Sequence, residues 1–122
     1  MFRECAALSS ASNLVLSATN AVIGCYESMF NGCSVLTSGP MLKSTALTQT
    51  YCYIDMFRNC PYVSEISVSL TAWPSNNACD NWVNGVSSMG TFYCPTALGT
   101  NETIQRGVNR CPTGWTVVNT DA

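Results

Sequence analysis

Histidine is absent from this 122-residue chain, and charge is scarce: five basic and seven acidic residues make up 10% of it. Without histidine there is no catalytic Cys–His arrangement. The five cations, Arg3, Lys43, Arg58, Arg106 and Arg110, are too scattered to form a patch. That disfavours a nucleic-acid interface and an anionic membrane surface. No apolar run reaches the roughly 18 residues of a membrane span. The start, Met1-Phe2-Arg3-Glu4-Cys5, is charged, and residues 6–24 are too broken by Ser, Thr and Asn for the apolar region of a signal peptide. The expectation is a mature or trimmed domain. G-x-S-x-G, HExxH and P-loop patterns are all missing. The seven acids, Glu4, Glu27, Asp55, Glu65, Asp80, Glu102 and Asp121, show no spacing that singles out a catalytic pair. The chain is therefore read as not an enzyme, with no cofactor and no metal.

What the chain does have is eight cysteines: Cys5, Cys25, Cys33, Cys52, Cys60, Cys79, Cys94 and Cys111. An even count at this length points to four disulfides and an oxidising compartment, hence secretion. Zinc is the weaker reading, because its sites favour closer Cys-x2–4-Cys pairs than Cys25/Cys33 or Cys52/Cys60. The chain also has 14 Ser, 13 Thr and 11 Asn. These finish the surface with neutral hydroxyls and amides, which leaves little repulsion between copies at a net charge of −2.

The strongest pattern is a repeat. Cys25-Tyr26-Glu27-Ser28-Met29-Phe30-Asn31-Gly32-Cys33 recurs as Cys52-Tyr53-Ile54-Asp55-Met56-Phe57-Arg58-Asn59-Cys60, with five of nine positions identical. At about 100° per residue the five shared positions fall within an arc of about 140°. This predicts a helix end burying a Cys/aromatic/Met stripe, built twice, over about 14–33 and 41–60. Three steps, Cys60-Pro61, Cys94-Pro95 and Cys111-Pro112, read as helix ends. Helices are expected over 5–33 (one, or two joined near Asn13), 41–59, 77–93 and 102–110, with Asn101 or Thr100 capping the last. Ser38-Gly39-Pro40 reads as a turn. Residues 65–73 alternate apolar and polar with the period of a strand, and 114–119 form a weaker second candidate that could pair with it.

The fold class expected is therefore mainly α: one secreted, disulfide-stapled domain of three to four helices over 1–122, with a duplicated helix pair and a minor two-stranded element. In style it resembles the cysteine-rich all-helical extracellular modules of animals, such as those of glial-growth-factor receptors and nematode secreted repeat families. No functional residue carries over from that likeness. Asn101-Glu102-Thr103 is the one N-glycosylation sequon. Trp73, Trp82 and Trp115 read as packing anchors, ahead of a carbohydrate platform around Asp80-Asn81-Trp82. The stripe of Tyr26, Met29, Phe30, Tyr53, Met56 and Phe57 reads as core, ahead of a hydrophobic-ligand pocket. The function expected is a structural or interaction protein whose partners are copies of itself, in a filament, coat or matrix. A monomeric module binding a protein or a small hydrophobic ligand is the second reading.

Overall fold

The computed structural model describes residues 3–5, 7–10, 15–16, 26–42, 53–74 and 78–121. Among them there is no helix. Five strands, β1 (Val15–Leu16), β2 (Ser38–Leu42), β3 (Glu65–Val68), β4 (Thr91–Cys94) and β5 (Thr116–Asn119), form one sheet in chain order. All neighbours are parallel. Met41 pairs with Ser67, Ser67 with Tyr93, and Tyr93 with Val118, so the chain returns to the same place on the sheet once in every coil. The described chain is a short solenoid, each coil resting on its neighbours.

The duplicated nonapeptide is the far side of this solenoid and is not helical. Its backbone divides its donors between two uses. The N–H groups of Ser28, Phe30 and Gly32 cross to the next coil, donating to the carbonyls of Ile54, Met56 and Arg58 at 2.9–3.0 Å. Those of Met29, Asn31 and Cys33 close tight turns on Tyr26, Ser28 and Phe30. The second copy does the same. Tyr53, Asp55, Phe57 and Asn59 cross to the coil beyond, while Met56, Arg58 and Cys60 close turns. Every other donor is thus satisfied between coils, without an i→i−4 helical ladder.

This alternation needs a left-handed residue at every fourth position. Ser28 and Gly32 (φ 53° and 77°), Asp55 and Asn59 (54° and 60°), and Asn81 and Gly85 (54° and 91°) supply it. Each occupies the third position of a four-residue turn, where φ is positive in a type II turn and where Gly and Asn are favoured. A period of four explains the helical prediction. Over nine residues a four-residue repeat drifts only about 80° from a 3.6-residue one, so both put the same five side chains on one face.

The core lies between the sheet and these turns. Phe30 and Phe57 stack with centroids 5.6 Å apart and 3° between planes. Tyr26 stacks on Tyr53 at 6.0 Å, and Tyr53 on Trp82 at 5.9 Å. The left-handed positions align Asp55 with Asn81 and Asn59 with Gly85, so the third coil sits one position short of the interval that separates Ser28 from Asp55. In that register Met56 is replaced by Trp82, Phe57 by Val83 and Cys60 by Val86, all apolar. Tyr53 is replaced by Cys79, so the third copy is shifted and keeps the apolar face but not the motif's residues.

Several expectations are corrected. The mainly α class fails, and with it the likeness to helical modules. Of the predicted first helix, Val15–Leu16 is strand and 26–33 is turns; of the second, 41–42 is strand and 53–59 turns. The third divides into turns at 78–85 and β4, and the fourth is turns with a bridge from Arg106 to Cys111. Residues 17–25 and 43–52 lie outside the described residues. Ser38-Gly39-Pro40 opens β2. The register shifts between Ser38 and Met41, around a proline with no N–H to give the ladder. The stretches at 65–73 and 114–119 contain β3 and β5, which do not pair because β4 runs between them.

The disulfides fail too. Cys5, Cys33, Cys60, Cys79, Cys94 and Cys111 form none; Cys25 and Cys52 lie outside the described residues. All but Cys5 are buried in the core, where a thiol packs as a small apolar group.

A far-UV circular dichroism spectrum of the protein will lack the α-helical signature; a helical spectrum would refute the coil architecture. Asn59→Val will cost about 1–2 kcal/mol, because a β-branched residue resists the left-handed region, whereas Asn59→Gly will be nearly neutral. Urea midpoints separate the two.

Candidate interaction surface

Along each strand inward and outward positions alternate. Ile66, Val68, Phe92, Cys94 and Val117 point into the core. The outer face carries a row formed by Met41, Ser67, Tyr93 and Val118, and a second formed by Glu65, Thr91 and Thr116. Between β2, β3 and β4 the outer face has a hollow of about 130 Å³, lined by Ser38, Met41, Glu65, Ile66, Ser67 and Tyr93. The Tyr93 hydroxyl lies 3.5 Å from Oε1 of Glu65, at the limit of a hydrogen bond. A second hollow, of about 160 Å³, is lined mainly by Val83, Val86, Ser87, Gly107, Val108 and Pro112. Both are smaller than the roughly 300–1,000 Å³ typical of small-molecule sites.

Three exposed apolar side chains lie in the connections that lead into β2, β3 and β4. Val35, Tyr62 and Met89 are 40%, 64% and 75% exposed; because Glu65 pairs with Thr91, Met89 falls level with Val63, one residue past Tyr62. Each lies just before a position bonded from coil to coil: Ser64 N–H donates to the Thr37 carbonyl and Thr91 N–H to the Ser64 carbonyl.

The sequence-predicted residues fall elsewhere. The Cys/aromatic/Met stripe is packed core: Phe30, Tyr53, Met56 and Phe57 are wholly buried. Trp82 is wholly buried and donates to the Arg110 carbonyl at 2.9 Å, so it makes no carbohydrate platform. Trp115 donates to the Ser87 carbonyl at 2.7 Å. Trp73 stacks on Phe92 beneath the Arg110 guanidinium, which sits 5.6 Å from the ring centre. Asn101 is exposed, and its side-chain oxygen accepts from the Val117 N–H at 3.0 Å and from Arg106 at 3.2 Å. Asp121 accepts from both the N–H and hydroxyl of Thr96 at 2.8 Å, which lowers its pKa. Asp55 meets Arg58 at 3.5 Å in a half-buried pair. Among the described residues no group of three or more Cys, Asp or Glu side chains could hold a metal. No described helix is long and apolar enough to cross a membrane.

Sequence reasoning missed Arg106. One nitrogen of its guanidinium donates to the carbonyls of Trp115 (2.7 Å) and Pro112 (3.3 Å), and the other to the Asn101 carbonyl (3.0 Å). It ties the final turns to the approach to β5. Nothing local marks it out from the other scattered cations.

Burial also governs the thiols. Desolvation pushes Cys60, Cys94 and Cys111 up to about 11, and Cys33 shifts in the same direction. The Cys60 thiol donates to the Phe30 carbonyl at 2.9 Å, one coil back. Such thiols are poor nucleophiles.

Compared with protein-family models, curated proteins and solved structures, the chain matches none.

Two outcomes follow from these contacts. Cys60, Cys94 and Cys111 will resist a thiol reagent in the native protein and react once it is unfolded. Because their folded pKa values exceed the unfolded value, the stability they allow is complete below about pH 9 and is lost as pH rises towards about 11. Urea midpoints taken across that range will fall, and Cys→Ala variants will flatten the fall. Separately, Arg106→Ala will cost about 1.5–3 kcal/mol by leaving several carbonyls without their charged donor. Arg106→Lys will recover only part, since an ammonium cannot span them.

Proposed function

We propose that this chain is a non-enzymatic interaction protein that assembles with copies of itself, as a subunit of a filament, coat or matrix. The observation that carries this reading is the exposure of the apolar side chains Val35, Tyr62 and Met89, in the connections before β2, β3 and β4. Exposed apolar surface on neighbouring coils marks an association site. The scarcity of charge supports the same reading, because close-packed copies repel one another little at a net charge of −2. The end of the described sheet adds to it: β5 pairs with β4 on one side and with no described strand on the other. An edge of that kind is a template for another chain.

Light scattering with negative-stain imaging, at neutral pH and micromolar concentration, tests the reading. The expected result is ordered oligomers, which Tyr62→Lys combined with Met89→Lys reduces to monomers without altering the circular dichroism spectrum. A wild-type monomer at micromolar concentration would overturn it.

A further inference from the structure

We infer that the hollow on the outer sheet face is a recognition site for an arginine side chain of a partner polypeptide. This goes beyond self-assembly and does not rest on it. The inference begins from size. The hollow, at about 130 Å³, lies below the roughly 300–1,000 Å³ of small-molecule sites, so it suits the tip of one side chain.

The lining then selects the chemistry. Glu65 is the only charged side chain in the hollow, and it is exposed at the mouth. No cation stands on the described outer rows to neutralise it, because these consist of Met41, Ser67, Tyr93, Val118, Thr91 and Thr116 beside Glu65 itself. A carboxylate that is the one charged group among these described side chains is complementary to a cation. Tyr93 borders the same space with its hydroxyl 3.5 Å from Glu65. An aromatic ring beside a carboxylate suits guanidinium, whose flat face stacks on the ring while its edge donates to the oxygens. Met41, half-exposed one strand away, offers an apolar wall for the methylene stem. A compact ammonium would use the charge but neither the ring nor the fork geometry.

The surroundings favour a polypeptide as the source. The hollow opens on a sheet face whose side-chain rows continue beyond it, from Met41 to Val118 and from Glu65 to Thr116. An extended chain can lie along these rows with one arginine seated.

The test uses N-acetyl-arginine amide, titrated into the ¹⁵N-labelled full chain at low salt and followed by amide chemical shifts. N-acetyl-citrulline amide, neutral and nearly isosteric, is the control. Saturable shifts confined to 38–41, 65–67 and 91–93 are expected for the arginine probe, with none for citrulline. Glu65→Gln should weaken binding at least about fivefold, as for a lost charge-assisted hydrogen bond. Tyr93→Leu should weaken it about threefold. Glu102→Gln, at another exposed acid, should leave it unchanged. The inference is overturned if the probe shifts no resonance near the hollow, if citrulline matches arginine, if N-acetyl-lysine amide binds as tightly, or if Glu65→Gln binds like wild type. Because the readout is a small probe, it succeeds or fails whether the protein is monomeric or assembled.

Discussion

The structure depends on the backbone hydrogen bonds that pass from coil to coil. In the sheet they are the parallel ladders of β1 to β5. On the far side they come from alternate residues of the turns, such as Ser28 to Ile54 and Phe57 to Trp82. A coil cut off from its neighbours would leave those donors and acceptors exposed and its apolar face half covered. Stability is therefore shared between adjacent coils, as in other one-dimensional stacks. This constraint accounts for the aromatic columns: side chains at one position of successive coils must stack, so Phe30 meets Phe57 almost parallel.

The same constraint shapes the surface. Whatever stands outward at one coil position stands in line with its counterparts. Met41, Ser67, Tyr93 and Val118 become a row on the sheet in this way. Isolated exposed apolar residues are ordinary on protein surfaces; the solenoid collects these into a line. Glu65 stands among neutral side chains in the described rows of that face, and it is the charged group that lines the hollow.

Cysteine does a different task here from the one its number implies. Buried thiols occupy core positions of several coils, with Cys33 and Cys60 at matching places in the two copies of the repeat. They fill space and, in Cys60, give a hydrogen bond to the preceding coil.

By itself the sequence determined the repeat unit, the buried face of the motif and the low charge of the surface. It also marked the alternating pattern that became β3. These are properties of short windows: the identity of nine residues, the apolar spacing within them, the composition of the whole. Ser/Gly, Asp/Asn and Asn/Gly at steps of four were visible as well, and they are the local trace of left-handed turns. Tertiary structure alone decided that the chain coils instead of forming helices. Nine residues cannot separate a period of four from one of 3.6, and the choice falls to whether the donors find partners four residues back or one coil away. It also decided the one-position offset that hides the third copy, the absence of disulfides among the described cysteines, the gathering of Arg106 with Asn101, Pro112 and Trp115, and the meeting of Glu65 with Tyr93. Each of these joins residues through the register of the stack, which no local window contains.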